Sequence, residues 1–192
     1  NPTGIYAKEP VVFYKLVQLM KEAGEWVVIQ SPYVVLNSYM CQELTMLKET
    51  VPDVKILLNS VENGDNFVAS SDYLRNKDRI LDTGIPLYEY DGGISNHAKS
   101  ILIDSDLSVI GSYNLDLRSS YLDTELMLVV ESRELNRELE GYMKEMETDS
   151  RRVLPDGNYE VPEHITVEEV PFWKRAAWGV VGFLLQPFRM LI

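Results

Sequence analysis

His97 and Lys99 stand two residues apart in the run SNHAKSILIDSDLSVIGSYNLDLRSSYLDTE, which extends from Ser95 to Glu125. Asp104, Gly111, Ser112 and Asn114 follow, so the spacing reads H-x-K-x4-D-x6-G-S-x-N. In a strand, side chains alternate between faces, which points His97 and Lys99 the same way. Ile101, Leu102 and Ile103 then continue as a strand buried on both faces. Ser105-Asp106 separates two β-rich runs, Ser100–Ile103 and Leu107–Ile110, and the pattern predicts a hairpin. A two-residue loop would set Lys99 opposite Ser112 and His97 opposite Asn114. An imidazole, a cation and two hydrogen-bonding side chains at one hairpin end make a site for an oxyanion, most economically a phosphate.

This pattern resembles the HKD motif of the phospholipase D superfamily. The wording SNHAKS, IGSYNLDLRS and DTE is most similar to the bacterial cardiolipin-synthase branch. The resemblance implies phosphodiester transfer with no metal and no cofactor. His97 would attack phosphorus to give a phosphohistidine, or act as acid and base. Lys99 would supply positive charge and Asn114 an amide donor to the developing oxyanion. Ser112 would add a hydroxyl to the substrate site. Imidazole reacts through one nitrogen, so the other needs an acceptor, and Glu125 is the position that matches the family's acidic residue. Asp104 and Gly111 belong to the motif as structural residues; Asp104, at the turn and on the opposite face from His97, is expected to bond nearby backbone.

Superfamily sites resemble one another in using two such motifs across a pseudo-twofold axis, and this chain has one. The expectation is therefore a missing N-terminal lobe, or a second copy of the chain, that completes the site. The first residue is Asn1 rather than Met, which fits a piece of a longer protein. The implied substrate is a phospholipid and the specific reading is cardiolipin synthesis. A nuclease or other phosphodiesterase, and an isolated lobe without turnover, are the alternatives.

The elements that must position these residues alternate in type. A helix should open at Glu9-Pro10 and run to about Ala23, with Pro at an early position. Trp26–Gln30 reads as a buried strand ending in Ser31-Pro32-Tyr33, a triplet that by resemblance lies near the pocket. Asn37 is the expected N-cap of a helix to about Glu49. Val54–Leu58 is a strand, and a helix follows the polar loop Asn59–Asn66, ending near Leu81 with Gly84 as its cap. Its basic run Tyr73–Arg79 reads either as an entrance for phosphate groups or as a solvated face. Leu87–Tyr90, the hairpin, and Glu125–Val130 complete the strands, with a last helix over Ser132–Glu147. Strands alternating with helices predict an α/β lobe, a mixed β-sheet flanked by helices, over residues 1–150. Residues 151–192 are expected to form a surface connection, with His164 an ordinary exposed histidine, and a C-terminal aromatic and basic helix.

Composition narrows the function. With 192 residues and 45% hydrophobic content, one domain with a full core is the expectation. Thirty acidic against 18 basic residues give a formal charge of −12, which weighs against nucleic acid as a partner. A single cysteine, Cys41, forbids an internal disulfide and fits a reducing compartment. No stretch reads as a secretory or transit segment, and there is no H-E-x-x-H, C-x-x-C or EF-loop spacing for a metal. The tail after Pro171 has Trp173, Trp178, Phe183 and Phe188 beside Lys174, Arg175 and Arg189. Its longest apolar run, Ala176–Leu185, is short of the roughly 20 residues that span a bilayer. It reads as a helix docked on the lobe or as an interfacial membrane anchor. The expected location is cytoplasmic, peripherally associated with the cell membrane.

Overall fold

The structure is a computed structural model that describes residues 9–167 and 169–192. Helix α1 (Val11–Met20) is followed by strand β1 (Trp26–Gln30), α2 (Ser38–Thr50), β2 (Asp53–Asn59), α3 (Phe67–Leu81) and β3 (Leu87–Tyr90). The motif hairpin is β4 (Ser100–Ile103) and β5 (Leu107–Gly111), then α4 (Leu117–Tyr121), β6 (Met127–Glu131) and α5 (Arg133–Thr148). Strands β7 (Ser150–Val153) and β8 (Tyr159–Glu160), helix α6 (Phe172–Leu184) and a 3-10 helix (Gln186–Leu191) end the chain. The eight strands form one open sheet in the order β6-β5-β4-β1-β2-β3-β7-β8. Strands β1, β2 and β3 run parallel, and every other pairing is antiparallel. The expected mixed sheet flanked by helices is therefore the architecture.

The expected helix starts appear where short polar side chains can accept from free backbone N–H groups. Asn37 accepts from Met40 N at 2.9 Å, and Asn66 from Val68 N and Ala69 N, both at 3.1 Å. After α3, Gly84 takes φ +74°, a conformation that favours a residue without Cβ.

The two faces of the sheet are covered unequally. One face carries the large core, in which Phe13, Leu16, Met40, Leu44, Leu47 and Ile80 from α1, α2 and α3 meet Val27, Ile29, Ile56 and Leu58. The other carries a small cluster, Met143 and Met146 of α5 against Val28, Leu57 and Leu102. Successive residues of β1 alternate between these clusters, as strand geometry requires.

Three sequence expectations change. First, the hairpin pairs Ser100 with Ile110, one residue out of the expected register, because its loop has three residues, Asp104 to Asp106. Asp104 adopts φ +50°, a left-handed conformation that aspartate tolerates better than most residues. Second, the stretch expected as surface connection begins with β7, which pairs with β3 and buries Ser150, Arg151 and Val153. Arg151 enters the sheet because carboxylates wait for it: Glu62 lies 2.5 Å away, Glu89 3.4 Å and Asp91 3.5 Å. Third, the run Tyr73–Arg79 is not a solvated face throughout. Tyr73 donates to the buried Glu89 at 2.6 Å, and Lys77 does the same at 2.6 Å.

The tail is docked. Trp178 is 3% exposed and stacks on Phe67 at 5.7 Å. Gly182 passes so close to α3 that a Cβ there would come within 2.7 Å of the Ser71 carbonyl oxygen. Arg189 binds Asp72 through two nitrogens, at 2.5 and 2.8 Å, and donates to Leu36 O at 2.8 Å. Yet Phe172, Trp173, Phe183 and Phe188 remain exposed on the outer side. No helix of the described residues is long and apolar enough to cross a membrane.

Candidate active site

The segment 95–99 precedes β4 and has no regular structure, so something else must hold it. Buried amides do. Asn59, 5% exposed at the end of β2, donates to Asn96 O and accepts from Asn96 N, both at 2.9 Å. Its side chain thus imitates a strand partner for one residue. Asn96 Oδ1 accepts from Ala98 N at 2.9 Å and from Gln30 Nε2 at 3.3 Å. Gln30 Oε1 in turn accepts from Ser100 Oγ at 2.7 Å. The turn that exposes His97 is therefore tied at both ends to strand termini.

Asp104 works at the other end of the hairpin. Its carboxylate accepts from Gly24 N at 2.8 Å and from Glu25 N and Trp26 N at 2.9 Å, which joins the hairpin loop to the start of β1. Burial opposes the charge on Asp104, but these three donors outweigh it and hold the carboxyl below its ordinary pKa. The register slip and this anchor have one origin, since a left-handed Asp104 both lengthens the loop and turns its side chain onto β1.

His97 is exposed and both ring nitrogens are engaged. Lys99 Nζ lies 2.7 Å from Nδ1 and 2.7 Å from the His97 carbonyl oxygen. Tyr33 Oη lies 3.1 Å from Nε2 and donates to Asp65 Oδ1 at 2.6 Å. An ammonium has only donors, so Nδ1 must accept, and a neutral ring then carries its proton on Nε2, directed at the Tyr33 oxygen. Burial lowers the pKa of Lys99, against the pull of Glu125, Asp116 and Asp65. Burial and then Asp65 push the Tyr33 phenol up, which keeps it a donor, and the Tyr33 hydrogen bond holds Asp65 below the usual carboxylate range.

The expected partners of His97 are arranged differently. Glu125 accepts the Ser112 hydroxyl rather than a ring N–H, and Ser112 Oγ also accepts from Leu126 N at 3.1 Å. The physical reason is the register. Gly111 N donates to Lys99 O at 3.1 Å and Ser112 N to Leu126 O at 3.0 Å, so Ser112 faces β6 and meets Glu125 there. Glu125 reaches Lys99 through its field instead of a hydrogen bond. Asn114 Oδ1 is buried with no hydrogen-bond partner among the described residues, and Asn114 N donates to Ser119 Oγ at 3.2 Å. Gly111 needs its missing side chain, because a Cβ there would fall 2.0 Å from Leu126 O.

Tyr33 and Asp65 are the residues that motif reasoning did not place on His97. Tyr33 had a signal, the Ser-Pro-Tyr at the end of a buried strand. Ser31 Oγ donates to Tyr33 O at 2.7 Å and accepts from Leu115 N at 3.0 Å, which fixes that strand end beside the motif. Asp65 had none, since it lies in a polar loop.

His97 and Lys99 line a cleft of about 560 Å³ on the thinly covered face of the sheet. Gln30, Ser100 and Gly111 contribute to its floor, and α5 with Asp149 to its wall. His164, by contrast, stands outside this lining and bonds Asp149 Oδ1 at 3.0 Å.

With this geometry in hand, comparison with known proteins identifies the family. Residues 16–147 match the family described as cardiolipin synthase, PLD-like domain. Cardiolipin synthase A of Cronobacter sakazakii is 27% identical over 169 residues, covering 87% of this chain and 32% of that protein. The homologous enzyme of Citrobacter koseri is 28% identical over 123 residues, 64% of this chain and 25% of that protein. The chain thus spans about a third or less of the length of these relatives. Among solved structures, phosphatidylserine synthase of Haemophilus influenzae superposes with a TM-score of 0.67 at 18% identity, over 92% of this chain and 44% of that one. Nuc of Salmonella typhimurium, a phospholipase D family member, gives 0.59 at 20% identity, over 72% of this chain and 88% of that one. At these identities the two structures support the fold alone. The match over residues 16–147, which encloses the whole hairpin and its His97–Lys99 pair, shows that the chain belongs to the phospholipase D superfamily, in its cardiolipin synthase-like family.

Proposed function

We propose that the chain is one lobe of a phosphatidyltransferase, with cardiolipin synthesis as its specific reaction. The observation that carries this reading is the His97–Lys99 pair in the wall of an open cleft, 2.7 Å apart. An imidazole and an ammonium side by side are what a phosphodiester needs: a nucleophile or proton carrier, and fixed charge for the phosphoryl oxygens. A phosphate that draws the ammonium off Nδ1 lets that nitrogen carry the ring proton. The Nε2 lone pair is then presented to phosphorus. Glu125 and Ser112 would support this end of the site, and Asn114 would turn its amide to the oxyanion.

One histidine in the cleft cannot be both nucleophile and acid for the leaving oxygen in a single step. A second lobe, from the remainder of a longer chain or from another copy, would supply the other group. The phospholipid substrate would be met at a membrane surface, and the exposed Phe172, Trp173, Phe183 and Phe188 favour peripheral contact there. The formal charge of −12 counts against a polyanionic substrate.

The test is turnover of a chromogenic phosphodiester and of phosphatidylglycerol, with and without the complementary lobe. The expected result is activity that His97→Ala lowers by about 100-fold or more, with melting unchanged. Residual activity within tenfold of wild type would remove His97 from the chemistry.

A further inference from the structure

A second cavity, of about 520 Å³, lies on the α3 side of the sheet and shares no lining residue with the cleft of His97 and Lys99. Helix α6 forms one wall with Arg175, Trp178 and Gly179, and α3 forms another with Ser71 and Arg75. Close packing fixes the two walls, since Gly182 leaves no room for a Cβ against the Ser71 carbonyl oxygen. The polar side chains of the lining fall into two sets. Glu62, Tyr159 and Ser71 are already engaged: Glu62 accepts from Arg151 at 2.5 Å, the Tyr159 hydroxyl accepts from Lys77 at 2.6 Å, and Ser71 Oγ donates to Phe67 O at 2.7 Å. Arg75 and Arg175 are exposed and form no ion pair among the described residues. Arg75 rests on the Phe183 ring, 5.4 Å from its centroid, a contact that leaves guanidinium N–H donors to spare. Trp178 is 3% exposed and stacked on Phe67, yet its Nε1 has no hydrogen-bond partner among the described residues. Every uncommitted polar side chain of this lining is therefore a donor.

We propose that this cavity is an anion site, in which Arg75, Arg175 and the Trp178 N–H hold a phosphate group. A buried N–H without an acceptor destabilises the fold, and a bound phosphate oxygen relieves that. A phosphomonoester carries a charge of about −2 and has oxygens enough for both guanidinium groups and the indole together. A carboxylate balances only one of the two cations. A cationic ligand is repelled by both arginines, and the one carboxylate of the lining, Glu62, is held by Arg151. The phosphate comes from a soluble phosphomonoester or from the headgroup of an anionic lipid, met at the surface where Phe172 and Phe183 of α6 are exposed. This site stands apart from the phosphodiester reading, since it uses no residue of that cleft. Because both arginines are open to water, binding is sensitive to salt.

Binding of inorganic phosphate is measured by calorimetric titration at low salt in the full chain carrying Lys99→Ala, which removes the ammonium of the other cleft. Phosphate should still bind. Adding Arg75→Gln with Arg175→Gln should weaken that binding about tenfold or more. Adding Trp178→Phe instead, which keeps a stacked ring and removes the N–H, should weaken it about threefold or more, with a cooperative melting transition retained in each variant. Arg133→Gln with Arg137→Gln, exposed on α5, removes the same charge and should leave the affinity as it was. Absence of phosphate binding in the Lys99→Ala chain overturns the site. So does an affinity unchanged by the Arg75 and Arg175 substitutions or by Trp178→Phe, or one lowered equally by the α5 pair. Flotation with phosphatidylcholine vesicles, with and without phosphatidic acid, then identifies the source. An increment from phosphatidic acid that the Arg75 and Arg175 substitutions remove assigns a lipid headgroup; an increment that they leave intact, or none, assigns a soluble phosphomonoester.

Discussion

The two faces of the sheet differ in depth, and the difference locates the candidate site. Beneath α1, α2 and α3 the sheet carries a broad apolar core that extends to Trp178 of the tail. Beneath α5 the buried cluster is Val28, Leu57 and Leu102 against two methionines, edged by the partly buried Trp26, Tyr88, Tyr90 and Leu139. A helix that covers a sheet so narrowly leaves space beside it, and the cleft with His97 and Lys99 is that space. Apolar burial is concentrated on the thick face, and the candidate site lies on the thin one. A site held by the amides of Gln30, Asn59 and Asn96 draws little on apolar packing, so it can be altered without unfolding the lobe.

Substitutions on the two faces should separate these roles. The largest loss of stability is expected from Leu44→Ala, fully buried in the thick core, at about 3 to 5 kcal/mol. Denaturant unfolding of a loss below about 1 kcal/mol would mean that the thick face is not the stability core. Next comes Arg189→Ala, at about 3 kcal/mol, because it leaves the Asp72 carboxylate, 2% exposed, without its ion pair. Protease sensitivity of the tail should rise in that variant, and an unchanged cleavage pattern would show that the tail is held by Trp178 instead. Met143→Ala on the thin face should cost about 2 kcal/mol, less than Leu44→Ala, since fewer neighbours surround the cavity and Met is adaptable. A cost equal to that of Leu44→Ala would erase the distinction between the faces.

The smallest effect concerns the hairpin anchor. Asp104→Asn should cost about 1 kcal/mol at neutral pH, by weakening the acceptor of three backbone N–H groups. The folded pKa of Asp104 is below its unfolded value, so its contribution is present above the unfolded pKa. It disappears as pH falls through the folded pKa. The difference between wild type and variant should therefore narrow below about pH 4. A difference that stays constant to pH 2 would assign the effect to loop conformation rather than charge.

Local patterns carried much of the fold in the sequence. Trp26–Gln30 and Leu87–Tyr90 are strands with the expected bounds, and Asn37 caps its helix as a short polar acceptor should. Failures came where the deciding partner is distant in the chain. Arg151-Arg152 reads as surface until Glu62 and Glu89 are seen to meet Arg151 inside. The hairpin register depended on Asp104 finding Gly24 and Glu25, 80 and 79 residues away. In the candidate site, the types and spacing of His97 and Lys99 were legible. The contacts that hold the imidazole were not, because Tyr33 and Asp65 come from separate loops with no shared pattern.

Gly111 has no chemistry, yet its place against Leu126 O leaves no room for any other residue. A screen that scores only lost activity would rank Gly111 and His97 as equals. Cellular abundance would separate them: a forced Cβ pushes β5 from β6 and lowers the amount of folded protein, whereas an altered His97 leaves a full complement of idle lobes. On the proposed two-lobe site, such idle lobes would still pair with their complement, so in a mixed population a His97 variant would poison active protein and a Gly111 variant would merely be missing.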